Sequence, residues 1–172
     1  MKRVFVGLLL FVSLNHAFSQ SVCIDSIFIN GSITRIMKYK DFINTGIKID
    51  SITSAKPMDS YDPDSMIYVG SSVFWYDTKR GICEAKSIWF DRISKLQLGR
   101  FTVDKSTSHQ DLKQMFPLDC ESTKPISVNR KEGYYQICSL PVKDKKGQLW
   151  DMKIIFFLKE DRLVRVDFWE PM

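Results

Sequence analysis

Residues 148–170, QLWDMKIIFFLKEDRLVRVDFWE, decide the fold. Two runs rich in aromatic and β-branched residues, 148–158 and 163–170, flank a charged turn at Lys159, Glu160 and Asp161, the composition of an antiparallel hairpin. Its register can be read from the side chains. Setting Leu158 against Val164, Phe156 against Val166 and Ile154 against Phe168 puts apolar groups opposite one another, whereas a slip of one residue sets Phe156 against Arg165. In the favoured register Asp151, Lys153, Arg165, Asp167 and Trp169 share the other face, where opposite charges suit a solvated sheet surface.

Working back along the chain, residues 134–142, 95–101, 82–90, 72–76 and 66–69 have the same strand composition and are separated by turn residues. Residues 47–52 read as a short strand, and 55–65, with Pro57 and Pro63, as loop. Two stretches have helical spacing instead. After Asn30-Gly31-Ser32, with Ser32 as N-cap, the residues Ile33, Ile36, Met37, Tyr39, Phe42 and Ile43 predict a helix of three turns stopped by Gly46. Thr107 and Gln110 have capping-box spacing, and Leu112, Met115 and Phe116 face one way before Pro117. A helix followed by a meander, twice, predicts an α+β domain: an antiparallel sheet with two helical segments on one face. That order of elements resembles the β-lactamase-inhibitor protein architecture and its relatives among small envelope proteins. The resemblance implies a concave binding surface made by two helix-plus-sheet units, and it carries over no functional residue.

The N-terminus reads as a leader. Met1, Lys2 and Arg3 precede an apolar run at 4–14, the pattern of an export signal. Eleven residues of helix rise only about 16 Å against roughly 30 Å of bilayer hydrocarbon, so the run is too short for a membrane anchor. Ala17 and Ser19 occupy the small-residue positions of a cleavage site before Gln20, which makes 1–19 a signal peptide and 20–172 one exported domain in the periplasm or the medium. Lipidation at Cys23 is disfavoured, because Gln20, Ser21 and Val22 lack the Leu and the small residue expected before such a cysteine. Four cysteines in that domain, Cys23, Cys83, Cys120 and Cys138, read as two disulfides, with Cys120–Cys138 and Cys23–Cys83 favoured among three pairings. None stands in a CxxC, which argues against zinc and against a redox pair.

Charge and motifs exclude several functions. The chain is +5 overall, and losing Lys2 and Arg3 with the leader brings it to +3. Its one basic cluster, Lys143, Lys145 and Lys146, falls in an expected turn, so nucleic-acid binding is not expected, nor membrane insertion once the leader is gone. There is no nucleophile elbow, zinc-protease motif or phosphate loop, and no cofactor is implied. Asp59, Asp62 and Asp64 fail the EF-hand spacing and read as turn aspartates. Asn30-Gly31-Ser32 fits the glycosylation triplet, but the leader has a bacterial cast that makes modification there unexpected. His109, at the start of the second helix, is the one imidazole left after the leader.

What remains is aromatic. Trp75, Tyr76, Trp89, Trp150 and Trp169 stand on expected strands, and Trp169 shares its face with Lys153 and Arg165. A tryptophan flanked by cations has the composition of a protein interface or a sugar platform. The leading expectation is a non-catalytic exported binding module whose sheet face takes a protein or peptide partner through Trp169, Lys153, Arg165 and Trp75. The alternative is a small secreted hydrolase using His109 or the Asp151 and Asp167 carboxylates, and a third reading is a structural envelope protein.

Overall fold

The computed structural model describes residues 21–55, 63–128 and 133–171. The expected signal peptide, Asp59 and Asp62 lie outside the described residues. In chain order the strands are β1 (Val22–Cys23), β2 (Ile27–Ile29), β3 (Ile33–Thr34), β4 (Ile36–Lys38), β5 (Ser51–Ser54), β6 (Ser65–Val69), β7 (Ser72–Asp77), β8 (Ile82–Trp89), β9 (Leu96–Leu98), β10 (Phe101–Val103), β11 (Lys124–Ser127), β12 (Tyr134–Lys143), β13 (Leu149–Lys159) and β14 (Arg162–Trp169). The α-helices are α1 (Tyr39–Asn44) and α2 (His109–Met115).

The C-terminal hairpin follows its apolar pattern. Phe156 pairs with Val166 and Ile154 with Phe168, as the sequence requires. Leu158 pairs with Leu163 rather than Val164, because a bulge between Phe157 and Leu158 shifts the register at the turn end. This hairpin lies inside a ten-stranded mixed sheet of order β1-β12-β13-β14-β8-β7-β6-β5, with β11 also on β12 and β4 also on β8. The β1·β12 pairing is parallel, and the other pairings are antiparallel. A second sheet, β10-β9-β2-β3, packs with α1 and α2 on one face of the large one. The core between them joins Ile27, Ile29, Leu96 and Leu98 of the small sheet to Ile67, Phe74, Ile88, Leu140, Ile154, Phe156 and Val166 of the large one.

The expected α+β domain with two helical segments and a helix-plus-meander repeat is overturned. Among the described residues strand accounts for 51% and helix for 11%, so the fold is mostly β. The error arises at Asn30-Gly31. Both residues adopt positive φ (51° and 81°), and the Ser32 amide donates to the Ile29 carbonyl at 3.2 Å, so the triplet closes a β2–β3 hairpin instead of opening a helix. Ile33, Thr34 and Ile36 are β-branched and follow as strands, which leaves α1 only six residues. Its Phe42 packs edge-on against Phe74 (centroids 4.9 Å apart), and Gly46, at φ 75°, ends it as expected. The second helix is present one residue off its expected cap. Ser108 and Asp111 form the capping box, while Thr107 Oγ1 accepts from the Asp104 amide at 3.0 Å. Phe116 at its end lies between Phe101 and Phe156.

Of the two expected bridges one forms. Cys120 and Cys138 are bonded, their Cα atoms 5.2 Å apart, tying the segment after α2 to β12. Cys23 and Cys83 are free thiols. They stand on β1 and β8, four strand spacings apart in the sheet, about 19 Å along it and beyond the reach of a disulfide.

Candidate functional site

The face of the large sheet turned away from the core collects the candidate residues. On β14, Val166 and Phe168 enter the core, so Arg165, Asp167 and Trp169 point the other way. Register then carries that face across its neighbours. Trp169 lies opposite Lys153, Arg165 opposite Phe157 on one side and Trp89 on the other, and Asp167 opposite Ser87. On β7 and β8 the core takes Phe74 and Ala85, which leaves Trp75 and Glu84 paired on the outer face.

The four expected binding residues therefore share one face, but they differ in availability. Trp169 is 47% exposed and Lys153 is exposed beside it. Arg165 is engaged: its Nε donates to Asp167 Oδ1 at 2.7 Å, its Nη2 to Asp167 Oδ2, and its guanidinium lies 4.3 Å from the Phe157 ring centroid and 5.5 Å from that of Trp89. Trp75 is covered by the Lys86 ammonium, 4.1 Å above its ring.

Lys86 belongs to a charge ring with no counterpart among the expected site residues. Arg35 Nη1 reaches Glu84 Oε1 at 2.8 Å and Glu170 Oε1 at 3.2 Å; Lys86 Nζ reaches the same two carboxylates at 2.5 and 3.6 Å. Two cations alternate with two anions, so the ring is neutral. Arg35 is 3% exposed and fills the seam where β4 and the end of β14 meet along β8. Its guanidinium also lies 5.8 Å from the Trp150 ring centroid. Glu84 and Lys86, two apart on a strand, were the one local hint of this cluster; nothing in the sequence ties them to Arg35 or Glu170.

The residues of the hydrolytic alternative are not assembled. His109 Nε2 lies 3.0 Å from the Cys120 carbonyl, which can only accept, so Nε2 carries the proton, and the His109 amide donates to Asp161. Both contacts pin the start of α2. Asp167 is clasped by Arg165 and sits opposite Ile155, four residues along β13 from the exposed Asp151. Asp64 stands just before β6 instead of starting a turn of its own: it accepts from the Thr78 hydroxyl and amide, the hydroxyl contact foremost holding its carboxyl below the usual range, and so braces the β7–β8 turn from across the sheet. Burial pushes the Cys83 thiol up to about 11, so it is protonated and unreactive while folded.

Among the described residues no group of three or more His, Cys, Asp or Glu could hold a metal ion. None of their helices is long and apolar enough to cross a membrane. No protein-family model, no curated protein and no solved structure matches the chain.

Proposed function

We propose that this chain is a non-catalytic exported binding module that presents the outer face of its large sheet to a protein or peptide partner. The observation that carries the reading is the cross-strand pair of Trp169 and Lys153, both open to solvent on adjoining strands near the middle of the sheet. An indole beside an ammonium offers a broad apolar contact and one charge, which suits an acidic or aromatic side chain of a partner. Arg165 and Trp75 lie on the same face, held there by Asp167 and Lys86. Export to the periplasm or the medium accords with the leader and with the Cys120–Cys138 bridge, which needs an oxidising compartment.

The test is affinity capture from envelope extract with the wild type and with a Trp169→Ala/Lys153→Ala variant whose circular dichroism and melting point match it. A partner retained reproducibly by the first and lost by the second is the expected result. Capture indifferent to the double substitution, or none at all, overturns the assignment.

A further inference from the structure

The two ends of the large sheet are finished differently. At one end the edge of β12 is taken by β1 and by β11, and the exposed strand β11 carries Lys124 and Pro125. Lysine and proline keep an outer edge from pairing with another chain. At the other end lies β5, which pairs with β6 alone among the described residues. Its four residues, Ser51, Ile52, Thr53 and Ser54, are all exposed, and none is charged or a proline.

Register tells which backbone groups β5 leaves free. The Ala55 amide donates to the Asp64 carbonyl at 2.8 Å, so Ala55 and Asp64 are a hydrogen-bonded pair. Alternation then makes Thr53 with Met66 and Ser51 with Tyr68 hydrogen-bonded pairs too. The amides and carbonyls of Ile52 and Ser54 therefore point away from β6, across the open edge. On the near side the free stretch ends at Asp50, whose amide turns inward to the Tyr68 carbonyl at 2.9 Å.

This set of groups is complementary to itself. A two-fold axis beside Thr53 sets Ile52 against Ser54 of a second copy, and Ser54 against its Ile52, so that every outward donor meets an acceptor. The facing pairs are Ser51 with Ala55, Ile52 with Ser54, and Thr53 with itself, all uncharged; Lys48 and Asp50 fall outside them. Facing threonines are a favourable cross-strand pair. Ile52 lies opposite Ile67, which is buried in the core, so the Ile52 side chains of both copies come to the core side of the joined sheet. A second copy fits because each pair is returned by its symmetry mate and no like charges are opposed.

We propose that two copies of this chain join edge to edge through β5, antiparallel about Thr53, and so make one continuous sheet of their two large ones. The joined edge lies four strands from β14, about 19 Å along the sheet, so the dimer leaves the Trp169 and Lys153 surface open in each copy. Pairing through β5 stands or falls independently of that surface.

The test uses the protein with its Cys120–Cys138 bridge intact and Cys23→Ser, so that no other thiol links two copies. Sedimentation equilibrium should show reversible dimerisation with a Kd of about 10–500 µM, the weak association expected of a small interface. Ser54→Pro removes one outward amide and spares the amides that bond β6, so the melting point should hold while the Kd rises about tenfold. Thr53→Cys places two thiols at the two-fold axis, their Cα atoms about 4.5 Å apart and within disulfide reach. In glutathione buffer it should give a covalent dimer about tenfold faster than Lys159→Cys, a control in the exposed β13–β14 turn. A protein that stays monomeric up to about 1 mM overturns the proposal. A dimer that Ser54→Pro leaves unchanged, or equal rates of cross-linking at positions 53 and 159, overturns it equally.

Discussion

Replacing Arg35 by Met keeps most of the aliphatic volume and removes the charge from the seam between β4 and β14. Glu84 and Glu170 then face only Lys86, leaving one uncompensated negative charge where the ring was neutral. Breaking a fully buried pair costs about 3–5 kcal/mol. Here the partners are only partly buried, with Glu84 24% and Glu170 41% exposed, so water takes up part of the loss and about 2–3 kcal/mol is the better figure. For a chain of this size that is a fall in Tm of about 4–12 °C. Adding Glu84→Gln restores neutrality with Lys86 and Glu170 alone and should recover about 1–2 kcal/mol of it. Urea unfolding followed by tryptophan fluorescence, with calorimetry at low salt, measures both. If Arg35→Met unfolds within about 0.5 kcal/mol of the wild type, or if Glu84→Gln adds a further loss, the ring does not hold the seam and the reasoning fails.

Replacing Cys120 and Cys138 together by Ser should cost about 3 kcal/mol, the entropy released when a loop spanning 18 residues is opened; an unchanged urea midpoint would refute this. In native protein at pH 8, iodoacetamide should alkylate Cys23 and spare Cys83 until urea is added, because the Cys83 thiol is buried with its pKa raised to about 11; mass spectrometry reads the order. Ser108→Ala should lose about 1 kcal/mol at neutral pH. Hydrogen bonds from Ser108 hold the Asp111 carboxyl below its ordinary 3.8, so their contribution is full above that value and fades as pH falls through the lowered one. The wild-type advantage should therefore shrink in acid, and an advantage that grew there would contradict the sign. Gly70→Ala should cost about 2 kcal/mol, since Gly70 sits at φ 60° and a Cβ there would stand 2.5 Å from Arg92 Cγ and 2.8 Å from Asp91 Oδ2, the oxygen that accepts from the Ser71 amide; thermal melts check it.

The C-terminal hairpin was legible because side-chain alternation and a charged turn both point to one register, and a bulge is the only feature that pattern could not supply. Residues 32–43 misled because Ile33, Ile36, Met37 and Phe42 satisfy helical spacing by chance, while the information lay in the backbone preference of Asn30-Gly31 for positive φ. Trp169 and Lys153 were placed together because their partnership is local to one hairpin. Arg165 was placed on the right face, yet its engagement by Asp167, Phe157 and Trp89 depends on packing around it. Arg35 was invisible as a site residue for a different reason. Its partners are 49 and 135 positions away, and only the chain's path round β8 brings them together. The Cys23–Cys83 pairing failed on the same ground, since counting thiols says nothing about how many strands separate them.

β14 joins β13 to β8, and so holds the two halves of the large sheet to each other. Strands β5 to β8 and strands β11 to β13 can form hairpins by local pairing, but they share a sheet only once residues 162–169 have docked between them, so closing the large sheet waits on a pairing between residues about eighty positions apart.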